Sequence, residues 1–192
     1  MARSKEFEVN AVLDKAMTLF WEQGYEKTSM SDLVKHMGIH RRSLYDTFGD
    51  KHSLFLQAMD RYINKVEVML TGEVKQSKTA TEALQIIFGF MVLEEEDSPS
   101  GCLMVNSVTE LAARDSDVDT KSIESFALTE HMFEQIILWG QRDGEFTSDY
   151  DAKEMAEYLH TLSVGIRVMG RSSIDKGKLF RIVDLSTRLL RG

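Results

Sequence analysis

The sequence predicts an all-α fold of about nine helices, on three observations. Apolar residues recur at helical spacing in segment after segment, and no stretch alternates convincingly enough to mark a strand. One proline, Pro99, stands in 192 residues, so long helices meet almost no obstacle. Helix-start signals also recur: Ser29-x-x-Asp32, Thr79-x-x-Glu82 and Asp151-x-x-Glu154 each set an acid three positions after a capping side chain.

Val12, Ala16, Leu19 and Phe20 lie at i, i+4, i+7 and i+8, one face of a first helix that Gly24 stops. Ser29 opens a second helix, with Leu33, Val34 and Met37 as its apolar side and Gly38 as its end. A third short segment runs from Arg41 to Phe48 and breaks at Gly49-Asp50. Asp50 caps a long fourth helix from Lys51, striped by Leu54, Phe55, Ala58, Tyr62 and Val66. A fifth follows Thr79 through Phe90, and the run Glu94 to Asp97 with Ser98-Pro99-Ser100-Gly101 reads as a solvated loop. Cys102 to Ala113 makes a sixth helix and about Asp117 to Gly140 a seventh. Asp151 caps an eighth, to about Gly170, and Asp175 a ninth, ending near Arg191.

Hydrophobic residues make up 43% and charged residues 28%, a balance that excludes disordered, collagen-like and membrane chains. The longest apolar run, Ile86 to Leu93, is far shorter than the ~20 residues of a membrane helix. Met1 to Glu6 carries charge of both signs, unlike a signal peptide. A single cysteine, Cys102, permits no intrachain disulfide and no multi-cysteine zinc site, and suits a reducing cytoplasm. An isolated thiol beside apolar residues is read as core rather than as a redox sensor. Catalytic signals are missing as well. Gly177-Lys178 lacks the spacing of a phosphate loop, and no histidine pair flanks a glutamate in the metalloprotease pattern. His36 and His40 are parted by the Gly38 turn, and Asp115, Asp117 and Asp119 lack the glycine and glutamate of a calcium loop. The expectation is therefore no enzyme, no cofactor and no metal.

Charge is distributed unevenly. The net charge is −8, yet residues 1–62 hold nine Lys/Arg and nine Asp/Glu, and the acidity lies beyond them. Residues 27–52 carry five basic and three acidic side chains plus three histidines. The second and third segments, joined by a tight glycine turn, have the sequence form of a helix-turn-helix. The third opens His-Arg-Arg-Ser, a polar load that packing alone does not require.

Val12, Ala16, Leu19, Phe20, Gly24, Tyr25, Thr28, Leu33, Val34, Gly38, Ile39, Leu44, Tyr45, Phe48, Lys51 and Leu54 stand in the order and spacing of one family's head. Over roughly residues 8–56 the chain resembles the TetR family of bacterial transcriptional regulators. Beyond that head it agrees in length and helix count, and Gly101 to Glu110 is similar to a segment in one branch. The resemblance implies a homodimer that binds double-stranded operator DNA, usually represses, and lets go when its body takes up a small apolar or amphipathic effector. It divides the chain into a DNA-binding head, residues 1–50, and an effector-binding and dimerisation body, residues 51–192. An activator of the same family, or an adaptor using the head for protein contact, is the alternative.

Within that frame Arg41 and Arg42 suit guanine O6 and N7, which accept a guanidinium fork. His40, Ser43, Asp46 and Thr47 share the exposed side, and Asp46 is able to accept from cytosine N4 or to orient an arginine. The family pattern makes Tyr45 and Lys51 phosphate contacts. Thr28 and Ser29 sit at a helix N-terminus, where free N–H groups favour phosphate. His40 departs from the family's small hydroxyl residue and Arg42 from its common glycine, which puts the operator sequence beyond analogy. Candidate effector contacts are Phe88, Met91, Met104, Asn106, Val108, Phe126, His131, Met132 and Trp139. Met155, Leu159, Leu162 and Ile166, with Ile182, Leu185 and Leu189, form stripes that in the family build a four-helix bundle across a dimer axis.

Overall fold

A computed structural model describes residues 8–93 and 98–191. The acidic run Glu94 to Asp97 and the segment before Glu8 lie outside the described residues. Among the described residues there are nine α-helices and no strand. They are α1 (Val9–Gln23), α2 (Met30–Met37), α3 (Arg41–Phe48), α4 (Lys51–Gln76), α5 (Ala80–Val92), α6 (Leu103–Ser107), α7 (Ser116–Arg142), α8 (Ala152–Gly170) and α9 (Lys176–Leu189). None is long and apolar enough to cross a membrane.

The caps form where the sequence sets them. Ser29 and Asp32 make a reciprocal capping box on α2, and Asp50, Asp151 and Asp175 each accept backbone N–H groups at the starts of α4, α8 and α9. Gly38 ends α2 in the left-handed region at φ 72°, which turns the chain directly into α3.

Two apolar cores result. The first joins α1, α2 and α3 through Phe20, Leu33, Met37, Leu44 and Phe48. Leu54, Phe55, Met59 and Tyr62 bring the first turns of α4 into the same core, which therefore continues past residue 50. Phe20 and Phe55 meet edge to face at 5.0 Å, a favoured aromatic arrangement. The second core gathers α5, α7, α8 and α9 around Leu84, Phe88, Phe133, Leu159, Ile166 and Leu179, with Leu70 of α4. Leu103, Leu111 and Val118 tie the body to the first core.

One element differs from expectation. Cys102 to Ala113 is not a uniform α-helix: α6 gives way after Ser107 to a π-helical turn, Val108–Ala112. Such wide turns cluster at functional positions. This one carries Glu110, whose carboxylate binds the backbone of the head.

Candidate nucleic-acid interface and the cavity behind it

The outward face of α3 is polar because its apolar residues are spent on the core. Leu44 and Phe48 are buried, while His40, Arg41, Arg42, Tyr45 and Asp46 are exposed, with Ser43 and Thr47 half-buried. His40 occupies the N-cap without a side-chain hydrogen bond, so the first N–H groups of α3 have no side-chain cap. Arg41 reaches Tyr45 at its hydroxyl, 3.5 Å away, and lies 5.8 Å from its ring centre. Arg42 and Asp46 approach to 3.7 Å but stay almost fully in water, where such a pair is worth little and yields readily to a better partner. The Lys51 ammonium, in the first residue of α4, sits 4.2 Å from the Tyr25 ring centre. The structure thus carries His40, Arg41, Arg42, Ser43, Tyr45, Asp46 and Thr47 on one short helix and its N-cap, with Lys51 opening the next helix.

Thr28 is a correction. Its side chain is fully buried, and its hydroxyl donates to the Gly24 carbonyl at 2.6 Å, bracing the α1–α2 turn. It has no face for a phosphate. Ser29 is exposed, but its hydroxyl is engaged with Asp32, and these hydrogen bonds hold the Asp32 carboxyl below its ordinary range.

Carboxylates tie the head, α4 and the rest of the body together. The two Glu110 oxygens accept from the Tyr25 and Glu26 amides at 2.9 and 2.8 Å. Glu110 presses on Gly24, whose φ of 84° and missing Cβ permit the approach. Asp115 caps α7 and meets His52 Nε2 at 2.9 Å. Asp14 holds Arg61 and Lys65 at 2.8 and 2.9 Å, and the Arg61 hydrogen bond keeps its carboxyl below the usual value. Donor atoms of His52, Asp115 and Asp117 fall within 4.8 Å of one another. The Asp115 carboxylate in that group is held by His52 and by the N–H groups of Asp117 and Val118.

Directly behind this junction lies a cavity of about 560 Å³, within the range of small-molecule sites. Met91, Met104, Phe126, His131, Met132 and Trp139 line it as expected. Three expected residues do not. Phe88 is fully buried and stacks on Phe133 at 5.5 Å, so it is core. Asn106, in the last turn of α6, and Val108, at the start of the wide turn, lie outside the wall, and the Asn106 amide nitrogen is buried without a partner. The wall includes residues that sequence reasoning missed: Tyr62, Phe90, Cys102, His160, Ser163 and Arg167. Cys102 thus borders a cavity instead of sitting in plain core, and its sulfur accepts from the Tyr62 hydroxyl at 3.3 Å. Burial pushes the Tyr62 phenol well above its ordinary value. It also lowers His160, against the opposing pull of Glu130 at 2.9 Å.

The stripes on α8 and α9 divide. Leu159 and Ile166 are buried in the second core of their own protomer and are not available to a partner. They correct the expected interface, because an i, i+7 pair on α8 faces α5 and α7. Met155, Leu162 and Ile182 are half-buried, and Leu185 and Leu189 are more than half exposed, with Tyr158 and Phe180 also on the surface.

Comparison with known proteins agrees with this architecture. Residues 12–58 match the profile of bacterial regulatory proteins of the tetR family. Residues 89–183 match a tetracyclin repressor-like C-terminal domain. The chain is 32% identical to the HTH-type transcriptional repressor ComR of Escherichia coli, over 97% of this chain and 90% of that protein. It is 31% identical to the HTH-type regulator YezE of Bacillus subtilis, over 99% of this chain and all of that one. Its fold superposes on a cysteine-substituted TetR family regulator, CifR, complexed with 26-bp double-strand operator DNA. That match has a TM-score of 0.86 at 26% identity, over 98% of this chain and 100% of CifR. Head, body and full-length likeness coincide: the chain belongs to the TetR family and is a helix-turn-helix transcriptional regulator.

Proposed function

We propose that the protein is a homodimeric repressor whose residues 1–50 read a palindromic operator and whose residues 51–192 dimerise and bind a small effector. The observation that carries this reading is α3 itself: an exposed, side-chain-uncapped helix start bearing Arg41 and Arg42, with Tyr45 and Lys51 beside it. The two copies would enter successive major grooves about 34–36 Å apart. Arg41 and Arg42 supply guanidinium forks for guanine, while Lys51 and Tyr45 position the backbone. CifR on its operator DNA and the repressor name of ComR support the same reading.

Release follows from continuity. The cavity wall includes Cys102, Met104 and Val105, and the same stretch of chain runs into the wide turn and Glu110 on the head. A ligand that displaces α6 therefore acts on the Tyr25 and Glu26 amides. Coupling of this kind is typically about 1–3 kcal/mol. The outward residues Leu185, Leu189, Tyr158 and Phe180 are the surface offered to a second copy.

Selection of bound sequences from random duplexes tests the reading. A palindrome should emerge. On it Arg41→Ala and Arg42→Ala should lose specific affinity, while Lys51→Ala weakens all sequences alike and lowers the salt slope by about one. Equal losses on selected and random DNA for all three variants would refute base reading by α3.

A further inference from the structure

Arg167 stands in the middle of α8 and is 92% buried, since only 8% of its surface is exposed. Among the described residues no other Lys, Arg, Asp or Glu is buried. It borders the large cavity and also an adjoining one of about 230 Å³, and Tyr62, Val66 and Phe90 are shared by both walls. The two chambers therefore meet at this side chain. Its guanidinium rests 4.5 Å from the Phe90 ring centre, and Nη1 donates to the Gly101 carbonyl at 3.3 Å.

A guanidinium has five N–H donors, and this bond uses one. No carboxylate among the described residues forms an ion pair with it. The other charges on the cavity wall do not offset it. Glu67 and Lys75 are exposed and opposite in sign, His131 is exposed, and His160 is paired with Glu130, which lies outside the wall. A buried cation without a counter-charge is costly, and an anion that enters with fork geometry relieves that cost. The Tyr62 phenol lies beside it, held protonated by burial, and offers a second donor that now points to the Cys102 sulfur. The rest of the chamber is apolar, with Ile63, Leu70, Phe126, Met132 and Trp139 on its walls.

We infer that the cavity takes an amphipathic monocarboxylate, its carboxylate on Arg167 and Tyr62 and its apolar body in the chamber that ends at Trp139. One buried positive charge matches one negative charge. This inference rests on the effector role proposed for the cavity and specifies its ligand class.

The two tryptophans, Trp139 in the large chamber and Trp21 in the small one, report binding by their fluorescence without DNA. The full-length protein is titrated with decanoate, decan-1-ol and decyl phosphate below their micellar concentrations. Decanoate should bind about tenfold or more tighter than decan-1-ol. Arg167→Met should abolish that preference while keeping the affinity for decan-1-ol, and Arg167→Lys should retain part of it. A merely structural Arg167 would weaken both ligands alike. Equal binding of acid and alcohol to the wild type, an unchanged preference in Arg167→Met, or tighter binding of decyl phosphate than of decanoate would overturn the inference. If Arg167→Met fails to fold, the wild-type comparison and Arg167→Lys decide. A separate arm adds decanoate to the complex with the selected duplex. Binding without release refutes the effector role but not the ligand class; release by uncharged compounds only, with no decanoate binding, refutes the ligand class alone.

Discussion

Replacing Glu110 by alanine should loosen the head without unfolding the body. In the structure its two oxygens satisfy the Tyr25 and Glu26 amides at 2.9 and 2.8 Å across the α1–α2 turn. Each is a charge-assisted hydrogen bond at a half-exposed site, so water competes and each is worth about 0.5–1.5 kcal/mol net. Together they contribute roughly 1–3 kcal/mol, or about 5- to 150-fold in a local opening equilibrium. Native-state hydrogen exchange reads this directly: the Tyr25 and Glu26 amides should lose about that much protection, while core amides such as Phe133 change little. Glu110→Gln keeps an acceptor and should retain part of the protection. If both amides remain as protected in Glu110→Ala as in the wild type, Glu110 is not what holds the head, and the release route through α6 fails with it.

Three further outcomes follow from the same contacts. Gly24→Ala should destabilise the protein by about 1–3 kcal/mol from the backbone alone, since φ 84° with ψ 170° is a region almost restricted to glycine, and the added carbon would stand 2.7 Å from a Glu110 oxygen. In urea unfolding its effect should be less than additive with Glu110→Ala, because the two share one contact. Burial keeps His160 below its ordinary pKa of 6.5, so the unfolded chain takes up the proton first. The associated stability is present above about pH 6.5 and is lost as pH falls through the lower folded value. Denaturation curves between pH 7 and pH 5 should be flatter in His160→Gln. Leu185→Glu with Leu189→Glu should shift sedimentation toward a monomer while leaving helicity intact, since both side chains are exposed within the protomer.

The head was legible in the sequence because its signals are local. A glycine at φ 72° and a capping box four residues long are properties of adjacent residues, and so is the alternation of buried Leu44 and Phe48 with exposed arginines. Thr28 was misread for the complementary reason: it stands just before a helix start, but whether its hydroxyl faces solvent or the Gly24 carbonyl depends on how α1 and α2 pack. The cavity was legible only in part. Its wall draws on α4, α5, α7 and α8 together with the α6 segment, and periodicity marks which face of a helix is apolar without marking which neighbour it meets. Arg167 carried a signal that went unused. It lies beside Ile166 in an apolar stretch of α8, where a charge needs a reason. Spacing alone reads the stripe as one face, although Leu159 and Ile166 serve the protomer's own core.

No hinge of loose chain separates the two cores, for α4 belongs to both: its Phe55 and Met59 sit in one and its Leu70 in the other. The helix is 26 residues long, about 39 Å at ~1.5 Å per residue. Under the function proposed above it would work as a lever. A tilt of about 5° about its far end carries the near end, and α3 with it, by about 3 Å over that length. That is enough to miss a base edge that must be met within a few tenths of an ångström, so on the proposed reading a modest disturbance deep in the body would be magnified at α3.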